Sequence, residues 1–134
     1  MSMFREIGED ELAPLATGAW ILGAGGGGSP YLSYLNAREL YAQGKRVQLM
    51  DPKALADDDL VAVVSNMGAP LVGQERLSDP AFAVKPLRMM EHYLRREFRA
   101  VMSVEIGGGN AFQPVLIALM TGLPVIDGDA MGRA

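Results

Sequence analysis

The sequence of 134 residues contains no cysteine and one histidine, His92. Disulfide bonds, a thiolate nucleophile and thiolate metal ligands are therefore excluded, and the lack of cysteine favours a cytoplasmic protein. His92 lies next to the polar face of a predicted helix, which favours a surface role over a Ser-His-Asp arrangement. A carboxylate that activates water is the general base that this residue inventory allows.

Positive charge and long apolar runs are also scarce. Twelve lysines and arginines stand against 16 acidic residues, giving a net charge of −4, so the electrostatic footprint of a nucleic-acid-binding protein is missing. No apolar run approaches the roughly 20 residues of a membrane span, and residues 1–11 are too polar and acidic for a signal peptide. The hydrophobic content of 49% can supply the core of one domain covering residues 1–134.

Glycine, in contrast, is abundant and clustered. Eight of the 16 glycines lie in GAGGGG at residues 23–28 and in Gly107–Gly109. Without a Cβ, such a backbone can turn tightly and direct successive N–H groups at one point, and a following helix favours negative charge there. We therefore predict that the Gly25, Gly26, Gly27 and Gly28 loop binds an anion or a polar ring. The alternative is a tight turn where a helix packs against backbone.

Apolar periodicity predicts that helices and strands alternate over most of the chain. Strands separated by helices favour a parallel sheet, so the predicted fold class is α/β, a layered α/β/α domain with a small, mostly parallel sheet. The predicted helices cover residues 11–20, 30–43, 84–97 and 111–120, and the predicted strands cover residues 46–50, 60–64, 100–106 and 123–126.

Polar residues follow the last two predicted strands, where open parallel sheets place their sites. Glu105 can orient backbone amides, bind a substrate N–H or ligate a metal, or it can be occupied by the amides of the glycine turn itself. Asn110 stands at the expected N-cap of the following helix. Asp127 and Asp129 suit a divalent cation such as Mg²⁺, hydrogen bonds to a polar substrate, or a pair with Arg133, although two acids in a turn are often only turn formers.

Five motifs occur in the order in which a known family has them. They are ILGAGGGGSPY at 21–31, NMGAP at 66–70, the stretch from Gln74 to Leu77, EIGGGNA at 105–111 and PVIDGDAMGRA at 124–134. Together they resemble the N-terminal domain of the S-methyl-thiohydantoin desulfurase family, a former domain of unknown function associated with hydantoinase and oxoprolinase-type proteins. The sequence departs from the family at Ala24, Ser29 and Gly128, where Thr, Asp and Ala are frequent.

The resemblance implies a hydrolase of hydantoin metabolism that acts on a hydantoin- or thiohydantoin-type cyclic imide, a small-molecule substrate. The predicted catalytic residues are the strand-end carboxylates Glu105, Asp127 and Asp129, because a carboxylate that acts on water fits the residue inventory. They are also the candidate ligands if a divalent metal is used. The predicted substrate-binding residues in the matched motifs are Gly25, Gly26, Gly27, Gly28, Glu75, Asn110 and Arg133. Gly108 and Gly109 are added because the second glycine cluster can present backbone amides as the first can.

Family members continue well beyond the arginine motif, whereas this sequence ends at Ala134. We therefore expect that a downstream β-rich domain is absent and that the isolated chain is inactive. Apolar surface should be exposed around Val125, Ile126 and Met131 and support a homo-oligomer, or a partner chain that supplies the missing part. The alternative function is a non-catalytic small-molecule-binding or assembly module, encoded by a gene fragment.

Overall fold

The computed structural model describes residues 2–75 and 79–133. Residues 76–78 belong to the Gln74–Leu77 motif, and they lie outside the described residues, as does Ala134. The described part contains five strands and five α-helices, namely β1 (Phe4–Ile7), α1 (Leu12–Gly23), α2 (Tyr31–Ala42), β2 (Val47–Met50), β3 (Val61–Val64), α3 (Pro70–Glu75), α4 (Ala81–Leu94), β4 (Ala100–Ser103), α5 (Gln113–Thr121) and β5 (Val125–Asp129).

The five strands form one sheet in the order β1-β2-β5-β4-β3. Strands β2, β5, β4 and β3 run parallel, and β1 pairs antiparallel with β2 at one edge. The predicted α/β class and mostly parallel sheet are confirmed. Strand β1 was not predicted because its sequence shows no alternation of apolar and polar residues. In the structure three of its four residues are exposed, and Ile7 alone is buried.

The main core lies on one face of the sheet, beneath helix α5. This helix contacts β2, β4 and β5 and is flanked by α2 and α4. One apolar cluster contains buried residues of α1, α2, α4 and α5, among them Leu12, Ala37, Leu87 and Leu116. On the opposite face a second cluster joins Met50, Ala100 and Ile126 to Ala54 and Leu55. The layering is therefore asymmetric in the described residues, with long helices on one face and a 3₁₀ turn, Pro52–Ala54, on the other.

Strand β5 differs from its prediction in a way that matters for the site. It runs from Val125 to Asp129, so both aspartates lie within the strand and not beyond it. Val125 and Ile126 are only 5% and 3% exposed, so the predicted apolar exposure is wrong at these two residues, because β5 lies between β2 and β4. Met131, beyond the strand, is exposed as expected.

None of the α-helices in the described part of the chain is long and apolar enough to cross a bilayer.

The side chain of Glu91 joins the last turns of α4 to the segment that follows the helix. Arg88 and the Phe98 amide donate hydrogen bonds to its two carboxylate oxygens at 2.7 and 3.0 Å. Burial by itself raises the pKa of Glu91, but the hydrogen bonds from Arg88 and Phe98 outweigh burial and leave this pKa below its ordinary value. The ionised carboxylate therefore stabilises the folded state.

We predict that Glu91→Gln makes the stability of the protein less dependent on pH. Because the folded-state pKa is lowered, the contribution of Glu91 is present above the unfolded-state pKa, about 4.3, and is lost as the pH falls through the folded-state value. Urea unfolding of both proteins from neutral to acid pH measures the effect. Parallel losses of stability in the two proteins would contradict it.

Candidate functional site

The carboxyl ends of β3, β4 and β5 meet at one edge of the sheet. In the parallel register Val64 pairs with Ser103, and Ser103 pairs with Asp129. Ser103 is buried, and its one hydroxyl proton is shared between two acceptors, the carbonyl oxygen of Asn110, at 3.0 Å, and that of Glu105. This serine therefore holds together both ends of the turn that follows β4.

Glu105, Asn110 and Asn66 form a chain of hydrogen bonds across this edge. The Asn110 side-chain amide donates to Glu105 Oε1 at 2.6 Å, and Asn110 Oδ1 accepts the backbone N–H of Asn66 at 2.7 Å. Asn110 is 6% exposed, so both ends of its amide are satisfied inside the protein. This network joins the segments after β3 and β4.

Asn110 is not the N-cap that the sequence predicted. It lies within the 3₁₀ helix Gly108–Phe112, and α5 begins only at Gln113, with Pro114 in its first turn. The prediction was wrong because the local pattern of asparagine before an apolar helix does not reveal partners from distant strands. Proline suits a first helical turn because it has no N–H to leave unpaired.

Asp129 organises the backbone around it. Its Oδ2 accepts the backbone N–H of Ile106 and that of Gly132, both at 2.8 Å. One carboxylate thus links the turn after β4 to the turn after β5. Such an Asp is a positioning residue in this structure, since it fixes the segment that carries Glu105.

Asp127 lies at a different surface, a groove of about 390 Å³ between α1 and α5 above the carboxyl ends of β2 and β5. The groove, here called the strand-end groove, has mostly apolar walls that include Leu15, Leu49, Ile106, Pro114, Val115 and Val125. Asp127 and Gly128 line it, and Asp127 is exposed. Glu105 and Asp129 are not among its lining residues, so of the three predicted catalytic carboxylates Asp127 alone lies in this groove.

The opposite side of the strand-end groove carries an ion pair that sequence analysis did not single out. Arg5 Nη1 lies 2.6 Å from Glu11 Oε1, and the Gly8 amide donates to Glu11 Oε2 at 2.7 Å. The hydrogen bonds from Gly8 and Arg5 lower the pKa of Glu11. Both residues line the groove. Arg5 belongs to β1, so the sequence could have indicated it as a groove residue only if this strand had been predicted.

The two glycine clusters pack directly against each other. The Gly109 N–H donates to the carbonyl oxygens of Gly27 and Gly28 at 2.8 and 3.2 Å. Gly108 has a φ of +63°, and a Cβ there would lie 2.4 Å from the Gly27 carbonyl carbon. A Cβ on Gly23 would lie 3.1 Å from the Gly108 nitrogen. The contact therefore excludes a side chain at Gly108 and leaves little room for one at Gly23, which is the packing alternative that the sequence left open.

The first glycine loop also forms a small pocket of about 90 Å³ with Trp20 and Gly108. Positive φ angles of 94°, 72° and 73° occur at Gly25, Gly27 and Gly28, on both sides of Gly26. A ligand-binding role for this loop stays a prediction. What the structure shows is that two of its carbonyl oxygens are used to hold the second loop.

The remaining predicted site residues are dispersed. Glu75 is exposed at the end of α3, and Arg133 is exposed beyond β5. Within residues 2–75 and 79–133, no group of three or more His, Asp or Glu side chains is arranged to hold a metal ion. The candidate triad of Glu105, Asp127 and Asp129 is thus not gathered around one point.

Two residues that sequence reasoning passed over take part in the network, Asn66 and Ser103. Asn66 belongs to the NMGAP motif directly after β3, which was a usable signal. Ser103 carried no signal of its own, because a serine inside a strand is common and its two acceptors are backbone carbonyls.

The fold and the edge together define a class of protein, an α/β domain that gathers polar side chains at the carboxyl ends of its parallel strands. The family follows from a family model, S-Me-THD-like, N-terminal domain, which matches residues 10–134. The chain belongs to this family. The family suggested by the five sequence motifs is thereby confirmed.

A comparison with solved structures adds a relative of known fold. A crystal structure of a protein from Chromobacterium violaceum is similar over 93% of this chain, with 28% sequence identity and a TM-score of 0.69. The chain spans about a third of that protein, 35% of its length. No curated protein matches the chain.

Proposed function

We propose that this chain is the N-terminal portion of a hydrolase-like protein that acts on a hydantoin- or thiohydantoin-type cyclic imide. The observation that carries the proposal is the exposed carboxylate of Asp127 in the wall of the apolar strand-end groove. The network that joins Asn66, Asn110 and Glu105 lies at the same edge of the sheet. Crevices at the carboxyl ends of parallel strands are the usual ligand sites of open α/β sheets. Membership of the S-Me-THD-like family supports this substrate class.

The strand-end groove suits a small ring with polar edges. Its volume of about 390 Å³ falls in the range of small-molecule sites, about 300–1,000 Å³, which combine apolar walls with a few polar groups. Leu15 and Ile106, which are partly exposed, offer apolar surface to the faces of a planar ring. Asp127 offers carboxylate oxygens to a ring N–H, and ion pairs among the described residues do not involve it.

The chemistry that fits these groups is attack by water on a ring carbon. A carboxylate accepts one proton from water, the water oxygen bonds to the ring carbon, and the bond from that carbon to its sulfur substituent breaks. This proton then passes to the departing thiolate, and the second water proton moves from the oxygen to the ring nitrogen. The products are therefore the ring carbonyl compound and a thiol. Asp127 is the proposed base because it lines the groove.

Glu105 and Asp129 act as positioning residues in this proposal. Glu105 receives the Asn110 amide, and Asp129 receives the Ile106 amide, so the two carboxylates fix the wall of the groove that Ile106 lines. Ligand binding by the Gly25–Gly28 loop, Glu75 and Arg133 remains a separate prediction. The turnover is proposed for a whole protein, since this chain spans 35% of the similar Chromobacterium violaceum protein.

A non-catalytic binding or assembly module is the second candidate function. The observation that favours it is a group of exposed large apolar side chains around the first glycine loop, including Trp20 and Ile21, which are 56% and 73% exposed. Exposed apolar patches mark interaction surfaces. Binding of a ring at the groove is expected under both functions, whereas turnover is expected only under the first.

The proposal predicts that Asp127→Asn weakens binding of S-methyl-2-thiohydantoin at least tenfold. A hydrogen bond to a charged group contributes about 1.5–3 kcal/mol, and 1.4 kcal/mol is tenfold in affinity. Isothermal titration calorimetry on the chain measures it. Asp57→Asn is the matched control, since it removes the same charge from an exposed turn. Equal affinities for the parent and Asp127→Asn would contradict the assignment of Asp127.

A further inference from the structure

A segment of 26 residues, Leu12 to Ala37, contains no Asp, Glu, Lys, Arg or His, although 21% of the chain is charged. It comprises α1, the first glycine loop and the first half of α2. We call it the uncharged hairpin. Surface helices normally carry charged side chains on the face that contacts water. The lack of charge in the uncharged hairpin therefore indicates that part of its outer face contacts something other than water.

The exposed side of the uncharged hairpin is apolar around its glycine loop. Six large apolar side chains there are between 37% and 73% exposed, and we call them the hairpin patch: Trp20, Ile21, Leu22, Tyr31, Leu32 and Leu35. Three end α1 and three begin α2, so both sets lie beside the loop that joins the helices. They are on the surface because α1 and α2 bury other residues, such as Ala19 and Ala37, in the core.

We infer that the hairpin patch is the interface through which this chain binds a second copy of itself. This inference is independent of the proposed catalytic function. With full large side chains at about 150–250 Å² each, the exposed fractions amount to on the order of 600 Å². Burial in two copies removes about 1,200 Å² from water, the lower end of the range for specific complexes.

Charge favours a second copy over other partners. A two-fold interface brings the same patch of both copies together. A charged side chain near the centre of such a patch would therefore lie close to the same charge on the other copy and repel it. The hairpin patch carries none, while the chain as a whole has a net charge of −4 that would repel a copy docked through an acidic surface. A membrane surface is disfavoured, since interfacial helices hold to anionic lipid through Lys and Arg, which the hairpin lacks.

Trp20 makes the interface directly observable because it is the only tryptophan of the chain and is 56% exposed. We expect sedimentation equilibrium to show a reversible dimer on the order of tens of micromolar protein, because interfaces at the low end of the size range belong to weak or transient complexes. Trp20 emission should shift to the blue, and acrylamide quenching should fall, over the same concentration range. A monomer with concentration-independent Trp20 emission up to about 200 µM would overturn the inference.

Two charge substitutions locate the interface. Ile21→Lys and Leu32→Lys, at residues 73% and 56% exposed, should each weaken the dimer at least tenfold without lowering the melting temperature of the monomer. Met89→Lys is the control, because Met89 is 63% exposed on α4, away from the patch. A dimer that resists both hairpin substitutions, or one that Met89→Lys dissociates, would overturn the inference even though the chain associates.

Discussion

Replacement of Gly108 by alanine should destabilise the protein by at least about 3 kcal/mol, at or above the upper end of the usual range for a single substitution. Its φ of +63° is costly for any residue with a Cβ. The added atom would also lie 2.4 Å from the Gly27 carbonyl carbon and 2.6 Å from the Gly27 and Gly28 oxygens. These neighbours are backbone atoms that accept the Gly109 N–H, so they cannot move away without breaking those hydrogen bonds.

Gly122→Ala provides the matched control for this prediction. Gly122 ends α5 with a φ of +78°, and a Cβ there would meet no atom within 4 Å. It should therefore show the conformational cost alone, about 1–2 kcal/mol. Urea unfolding of both variants gives the two costs. If they are equal, the contact between the glycine loops does not constrain the fold as described.

The second large effect is expected at Asn110, which lies between Glu105 and the Asn66 amide. Asn110→Asp keeps the acceptor for Asn66 N–H but sets a carboxylate oxygen where the amide donated to Glu105 at 2.6 Å. Two like charges would then face each other at a residue that is 6% exposed. We predict a loss of about 2–4 kcal/mol at pH 7, from the unmet hydrogen bond and the repulsion together.

The matching rescue is the double variant Glu105→Gln, Asn110→Asp. The glutamine amide can donate to the new carboxylate, so the donor and the acceptor exchange places and the like charges are gone. Most of the stability lost in Asn110→Asp should return, which a double-mutant cycle by urea unfolding would measure as a coupling energy. Independent, additive effects of the two substitutions would show that Glu105 and Asn110 do not interact as the structure indicates.

Much of the fold could be predicted because its signals are local. The runs of β-branched and apolar residues at Val61–Val64 and Val125–Ile126 indicate buried strands wherever they occur, and the helices between them imply parallel pairing. Strand β1 escaped because an edge strand with one buried residue lacks such a pattern. The extension of β5 to Asp129 was not predicted because Asp127, Gly128 and Asp129 have low strand propensity. Pairing with β4 overrides this local preference.

The sequence predicted which residues belong to the candidate site, but it did not predict their hydrogen-bond partners. Sequence marks Glu105, Asn110 and Asp129 as polar groups at strand ends, and this edge indeed holds them together. It could not reveal that Asn110 binds the Asn66 amide, or that Gly109 N–H binds the first glycine loop. Both contacts join segments far apart in the chain, and their distances depend on the packing of the whole sheet.

The central claim is that the strand-end groove binds a thiohydantoin-type ring. The most direct measurement is a nuclear magnetic resonance titration of the ¹⁵N-labelled chain with S-methyl-2-thiohydantoin. The account predicts that the largest amide shifts occur at groove residues such as Ile106, Val115, Asp127 and Gly128, and that Asp127→Asn diminishes them. Saturable shifts confined to another surface, or no shifts at millimolar ligand (about a −4 kcal/mol limit), would contradict it.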